Sequence, residues 1–132
     1  MNKKRVLAID DDESVLETLR TGLEIFDYVV DKAETETELW AALDQYRPDA
    51  ILMDVNMPGI DGISLCRKLK NSPRTSEIPV IMLTAYSDEK TFHDAVLFGA
   101  ADFLMKPFDI NEVRKKVEDA ISKSLLEKGK GK

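Results

Sequence analysis

One cysteine and one histidine occur in 132 residues, and that scarcity removes several chemistries at once. The lone thiol, Cys66, has no partner for an intramolecular disulfide. With no second thiol, no His cluster and no Cys-x-x-Cys pair, the chain points to neither zinc nor redox work. Basic charge is also short. Nineteen Lys and Arg stand against 25 Asp and Glu, a formal charge of −6. This argues against nucleic acid or an anionic membrane as the main partner, because both reward a basic surface. Long apolar runs are missing as well. After the positively charged Met1-Asn-Lys-Lys-Arg5, the run Val6-Leu-Ala-Ile9 is too short for the core of a secretion signal or for a membrane span, so a cytoplasmic location is expected. There is no internal repeat, heptad array or Ser/Pro-rich linker.

What is present is the composition of a globular domain, 43% hydrophobic and 33% charged, in a length that suits one core. One domain is expected over residues 1–127, followed by a flexible Lys/Gly tail over 128–132. Short apolar runs alternate with amphipathic segments of helical length, the pattern of βα units building a parallel sheet. The strand candidates are Arg5–Ile9, Tyr28–Val30, Ala50–Met53, Pro79–Leu83 and Asp102–Met105. All but the second are nearly continuously apolar, as when helices cover both faces, and the second reads as an edge. Helical spacing links Val15, Leu16, Leu19, Leu23 and Phe26, then Leu39, Ala42, Leu43 and Tyr46, then Ile63, Cys66 and Leu69. A fourth helix is marked by Phe92, Ala95, Val96 and Gly99, and a fifth by Val113, Val117, Ala120, Ile121 and Leu125. Thr35 with Glu38 and Asp109 with Glu112 have capping-box spacing. Trp40 and the five methionines are expected in core or half-buried packing.

An open parallel sheet binds ligands at the carboxyl ends of its strands. The first run ends in Asp10-Asp11-Asp12, the third in Asp54, the fourth in Thr84 and the fifth in Lys106. A parallel sheet brings these polar stops to one edge. Clustered carboxylates repel, and a bound cation or protonation of one member relieves them. Oxygen donors without Cys or His select a hard cation, and few carboxylates leaving waters in place suit Mg²⁺ better than Ca²⁺. Mg²⁺ and a lysine together neutralise a transferring phosphoryl group, while an aspartate is a competent covalent acceptor.

At these residues the chain resembles the response-regulator receiver family of two-component signalling, from Lys4 to about Leu126. The resemblance is carried by Val6-Leu-Ala-Ile-Asp10-Asp11, Ile51-Leu-Met-Asp54-Val-Asn-Met-Pro58-Gly59-Ile-Asp-Gly62, Met82-Leu-Thr84-Ala85 and Phe103-Leu-Met-Lys106-Pro107-Phe108. It implies a flavodoxin-like, doubly wound (βα)5 α/β fold with a five-stranded parallel sheet in the order 2-1-3-4-5. A receiver protein is a standard example of that strand order, so the order is taken over from the family rather than derived. The resemblance also implies Asp54 as phosphoacceptor and Mg²⁺ held by Asp11 directly, by Asp10 through water, by Asp54 and by the backbone carbonyl of Asn56. Lys106 pairs with phosphoryl oxygens, and a cis Lys106-Pro107 bond is implied. Thr84 and Phe103 form the switch, and Asn56 and Tyr86 occupy positions that influence phosphoryl hydrolysis. Phe103 stands where many relatives have Tyr. The implied partners are a histidine kinase or histidine phosphotransfer protein and a downstream protein reading the surface of the fourth helix, fifth strand and fifth helix. The protein would be a monomer or a phosphorylation-dependent dimer, assisting only its own phosphorylation and dephosphorylation.

Each residue also has a plainer role. Asp54 alone is a turn residue before Pro58-Gly59, Lys106 a surface lysine, Thr84 a strand end and Phe103 core packing. Asp12 and Glu13 suit the start of a helix, and His93 is read as exposed. The main alternative function is a haloacid-dehalogenase-type phosphatase using Asp10, since Asp10-Asp11-Asp12-Glu13-Ser14 fits its nucleophile motif. It leaves Asp54 unexplained and lacks a later acidic strand. A receiver-like interaction module that takes no phosphate is a second alternative.

Overall fold

A computed structural model of the chain describes residues 3–57, 59–84 and 99–130. Five parallel strands form the central sheet: β1 (Arg5–Ile9), β2 (Val29–Ala33), β3 (Ala50–Asp54), β4 (Val80–Thr84) and β5 (Asp102–Met105). Their order is β2-β1-β3-β4-β5, as the resemblance implies. The register sets Ile9 opposite Met53, Asp54 opposite Leu83 and Thr84 opposite Met105, so all the strands finish along one edge. A small antiparallel ladder joins Asn56–Met57 to Ile60–Asp61 just past β3. Helices α1 (Glu13–Glu24), α2 (Glu36–Gln45) and α3 (Gly62–Asn71) intervene, and a C-terminal helix spans Ile110–Lys130, three residues beyond the expected end of the domain. The fourth expected helix, marked by Phe92, Ala95 and Val96, lies outside the described residues together with Tyr86 and His93.

Side-chain alternation along the strands divides the core in two. Val6, Ala8, Ala50, Leu52, Ile81, Leu83 and Leu104 meet α1 and the C-terminal helix on one face. Leu7, Ile9, Ile51, Met53, Val80 and Met82 meet α2 and α3 on the other. Every residue of β3 and β4 is buried, which explains their continuously apolar sequences. Burying any one of these large side chains contributes about 1.5–3 kcal/mol.

β2 is longer than its apolar run. It continues through Asp31 and Lys32 because an edge strand is only partly covered on each face: Val30 enters the core on the α1 side and Ala33 the core on the other, while the charged residues between them lie at the margin. Lys32 bridges to Glu13 and Glu17 of α1 at 2.9 Å each, and such charges discourage pairing with another chain's strand.

Helix starts are capped locally. Asp12 accepts from the Ser14 amide and hydroxyl, which holds its carboxyl below the usual carboxylate range. Thr35 accepts from the Glu38 amide as expected, but the Glu38 carboxylate receives the Glu34 amide, one residue before the cap. Asp61 accepts from Ile63 and Ser64 at the start of α3, and Asp109 from the Asn111 amide.

One packing expectation needs correction, at Met105, and Leu125 lies in its expected helix but outside the buried stripe. Leu125 is 57% exposed: the buried stripe of the C-terminal helix stops at Ala120 and Ile121, and the helix then runs past the sheet. Met105 is 45% exposed because it closes β5, whereas Met53, Met57 and Met82 are buried and Trp40 is half-buried. Phe26 and Tyr46 follow the ends of α1 and α2 rather than lying within them.

Candidate functional site

The site forms where the apolar runs stop. Asp54 is the last residue of β3, Asp10 follows β1, and Lys106 follows β5. All three continue the alternation of the face that packs on α1, so their side chains converge above Leu52, Ala8 and Leu104. Carboxylate oxygens of Asp10, Asp11 and Asp54 all lie within 4.8 Å of one another. Asp10 is fully buried and Asp54 is 5% exposed, while Asp11 faces solvent.

Among the described residues, one cation answers this charge. The Lys106 ammonium donates to Asp10 Oδ2 at 2.8 Å and to Asp54 Oδ2 at 3.3 Å. The other oxygen of Asp10 accepts the Asp12 amide at 3.0 Å. Burial works against the charge on Lys106, but hydrogen bonding and attraction from Asp10, then from Asp54, outweigh it and raise its pKa above the usual 10.5. The bond between Lys106 and Pro107 is cis. The donor set suits a hard divalent ion: oxygen atoms from three carboxylates, facing one ammonium among the described residues.

Thr84 ends β4 and is 3% exposed, and its carbonyl accepts the Lys106 amide at 2.6 Å. Phe103 is half-buried against the second core cluster. Its register partner is Met82, and Thr84 shares that face of the sheet by alternation. Asn56 begins the small ladder and pairs with Asp61. Cys66 is buried, and burial pushes its thiol up, which fits an inert packing residue.

The motif carried Asp61 and Gly62 without assigning either a role. The fold gives them one each. Asp61 caps α3, and Gly62 lets that helix begin directly against the backbone that follows Asp54. An Asp-Gly pair just ahead of a helical apolar pattern is the signal that identifies such a junction.

Comparison with known proteins identifies the family. Residues 6–118 match the family model of the response regulator receiver domain. The chain is 36% identical over 113 residues to the DNA-binding dual master transcriptional regulator RpaA of Synechocystis sp., covering 86% of this chain and 47% of that protein. It also resembles the signal receiver domain of a signal transduction histidine kinase from Syntrophus aciditrophicus, with 34% identity, a TM-score of 0.81 and 90% of each chain covered. The chemotaxis response regulator CheY4 of Vibrio cholerae superposes with a TM-score of 0.83 at 27% identity, covering 90% of this chain and 99% of that one. The chain spans 16% to 54% of the length of the first curated relatives it matches. No helix among the described residues is long and apolar enough to cross a membrane. Strand order, the acidic strand-end cluster and the family match converge on one assignment: the chain belongs to the response regulator receiver domains of two-component signalling.

Proposed function

We propose that the chain is a phosphorylation-dependent switch in which Asp54 accepts a phosphoryl group from the phosphohistidine of a histidine kinase or histidine phosphotransfer protein. The observation that carries this is the convergence of Asp10, Asp11 and Asp54 with the Lys106 ammonium bonded to two of the three. An Asp54 carboxylate oxygen attacks phosphorus, the P–N bond to the donor imidazole breaks, and the leaving imidazole takes a proton from solvent. The carboxylates of Asp10, Asp11 and Asp54 and the carbonyl of Asn56 would hold Mg²⁺. That ion supplies positive charge against the oxygens of the transferring group. Lys106 adds a second positive charge and exchanges its Asp54 contact for the new phosphoryl oxygens.

The switch follows from the same edge. A phosphoryl group on Asp54 offers strong acceptor oxygens beside the end of β4, and Thr84 donates its hydroxyl to one of them. Phe103, on the same sheet face, turns inward to fill the space that Thr84 leaves. Together they alter the surface of β5, the C-terminal helix and the segment between β4 and β5, which a downstream protein reads. Several relatives are full-length regulators, and a partner domain or protein of that kind is the reader we expect.

The test is labelling with acetyl phosphate and Mg²⁺, read by intact mass. Wild type should gain one phosphoryl group, and Asp54→Asn should gain none. Label retained on Asp54→Asn but lost on Asp10→Asn would replace this reading with the phosphatase one. A wild-type chain that takes no label and shows no spectral response to Mg²⁺ would reduce it to an interaction module.

A further inference from the structure

We infer that Gly62 is a positioning residue for the metal site: its missing side chain lets α3 press on the backbone after Asp54 and so fixes the carbonyl of Asn56. The inference rests on the Mg²⁺ reading above. A Cβ built on Gly62 would lie 2.8 Å from the Asp54 carbonyl oxygen, 2.8 Å from Val55 Cα and 2.9 Å from the Val55 carbonyl oxygen. All three are backbone atoms, so no side-chain rotation relieves the contact. The segment they belong to is held on both sides. The Val55 amide donates to the Leu83 carbonyl at 2.8 Å, and the Val55 carbonyl accepts the Gly62 amide at 3.3 Å. Val55 itself is buried at 8% exposure, and Asn56 goes straight into the ladder opposite Asp61. The Asp54-Val55-Asn56 backbone is thus clamped between β4 and the first turn of α3. A side chain at position 62 forces that clamp open on the α3 side and moves the Asn56 carbonyl with it.

Supporting groups that orient a ligand typically change metal affinity by about 10- to 100-fold when lost. The experiment is an NMR titration of the whole chain with Mg²⁺, following the Val55 and Asn56 amides, on wild type, Gly62→Ala and Gly22→Ala. The last is a control for crowding elsewhere, since a Cβ at Gly22 meets the Ile110 side chain across α1 and the C-terminal helix. Gly62→Ala should stay cooperatively folded in urea and bind Mg²⁺ about tenfold more weakly, with the Val55 and Asn56 resonances already displaced before metal is added. Gly22→Ala should lose stability and keep wild-type affinity. Wild-type affinity in folded Gly62→Ala overturns the inference and leaves the functional reading standing; a wild-type chain that does not respond to Mg²⁺ overturns both. If Gly62→Ala does not fold, Asp61→Ala takes its place. It removes the α3 cap without adding an atom at position 62, and unchanged Mg²⁺ affinity there likewise overturns the inference.

Discussion

The two ends of the sheet use charge in opposite ways. At the carboxyl end three carboxylates face one ammonium among the described residues, and two of the three lie in the protein interior. At the amino end charges find local answers. Arg5 pairs with Asp31 at 2.9 Å and lies 4.0 Å over the Tyr46 ring, and its amide donates to Asp49. Lys70 has backbone partners: it donates to the carbonyls of Ser76 and Ile78. Charges that are paired within the fold need no further counter-ion. A cluster with excess charge of one sign is poised to take up a ligand of the other sign, which is why chemistry is placed at the first end and only architecture at the second.

The largest effect should come from removing the ammonium of the acidic end. Among the described residues, Lys106→Met leaves the buried Asp10 side chain with only the Asp12 amide as partner. Breaking a fully buried ion pair costs about 3–5 kcal/mol, and because the Lys106 side chain is 23% exposed the expected loss is about 2–4 kcal/mol in urea unfolding without metal. Mg²⁺ should then recover more stability in Lys106→Met than in wild type, since the ion no longer competes with an ammonium. Equal recovery in both would mean that Lys106 does not balance the cluster.

A smaller effect separates the two lysines by pH. Lys106 has a raised pKa, so between 10.5 and its folded value it holds a proton that the unfolded chain has lost, and stability falls as pH rises through that window. Lys70 is shifted the other way, chiefly by burial, partly offset by Cys66 and Glu127. Between its folded value and 10.5 the unfolded chain holds the extra proton, so stability rises with pH. Urea midpoints taken from about pH 9 to about pH 11.5 should show a shallower alkaline decline for Lys106→Met and a steeper one for Lys70→Met. Tyr28, pushed up to about 12 mainly by burial, adds to the decline in every variant and does not affect the contrast. Parallel profiles would show that the two ends do not differ electrostatically in this way.

The acidic end is the more legible of the two from sequence. Asp10, Asp54, Thr84 and Lys106 each stop an apolar run, and a parallel sheet turns such stops into neighbours whatever their separation along the chain. The amino end has no such rule. Nothing in residue spacing pairs Arg5 with Asp31 or brings Lys70 onto the carbonyls of Ser76 and Ile78, because the first contact depends on the register of β1 against β2 and the second on a loop path. The apolar run Tyr28–Val30 stops three residues before β2 does, because Asp31 and Lys32 look like a turn until the strand is known to be an edge whose two faces are only partly covered. Leu125 continues a helical apolar pattern correctly, but periodicity says nothing about where the sheet beneath it ends. Gly62 is visible as a motif letter, yet its reason is a backbone approach that only the folded chain reveals.

The smallest effects should fall at the amino end and beyond it. Arg5→Met removes an ion pair whose side chains are 41% and 35% exposed, worth about 0–1 kcal/mol, while the methionine keeps much of the contact with Tyr46. It should leave Mg²⁺ affinity unchanged. Leu125→Ser should shift stability by no more than about 0.5 kcal/mol, since the side chain is already mostly in water. Val117→Ala, earlier on the same helix but wholly buried, should cost about 1–2 kcal/mol by the same measurement, in proportion to the methyl groups lost from the core. Equal losses for Leu125→Ser and Val117→Ala would mean that the last turns of the C-terminal helix are packed in solution. The boundary between the buried stripe and the overhanging turns would then lie beyond Ile121, and the amino end of the sheet would support more of the helix than Ser124, whose hydroxyl donates to the Glu77 carbonyl at 3.0 Å.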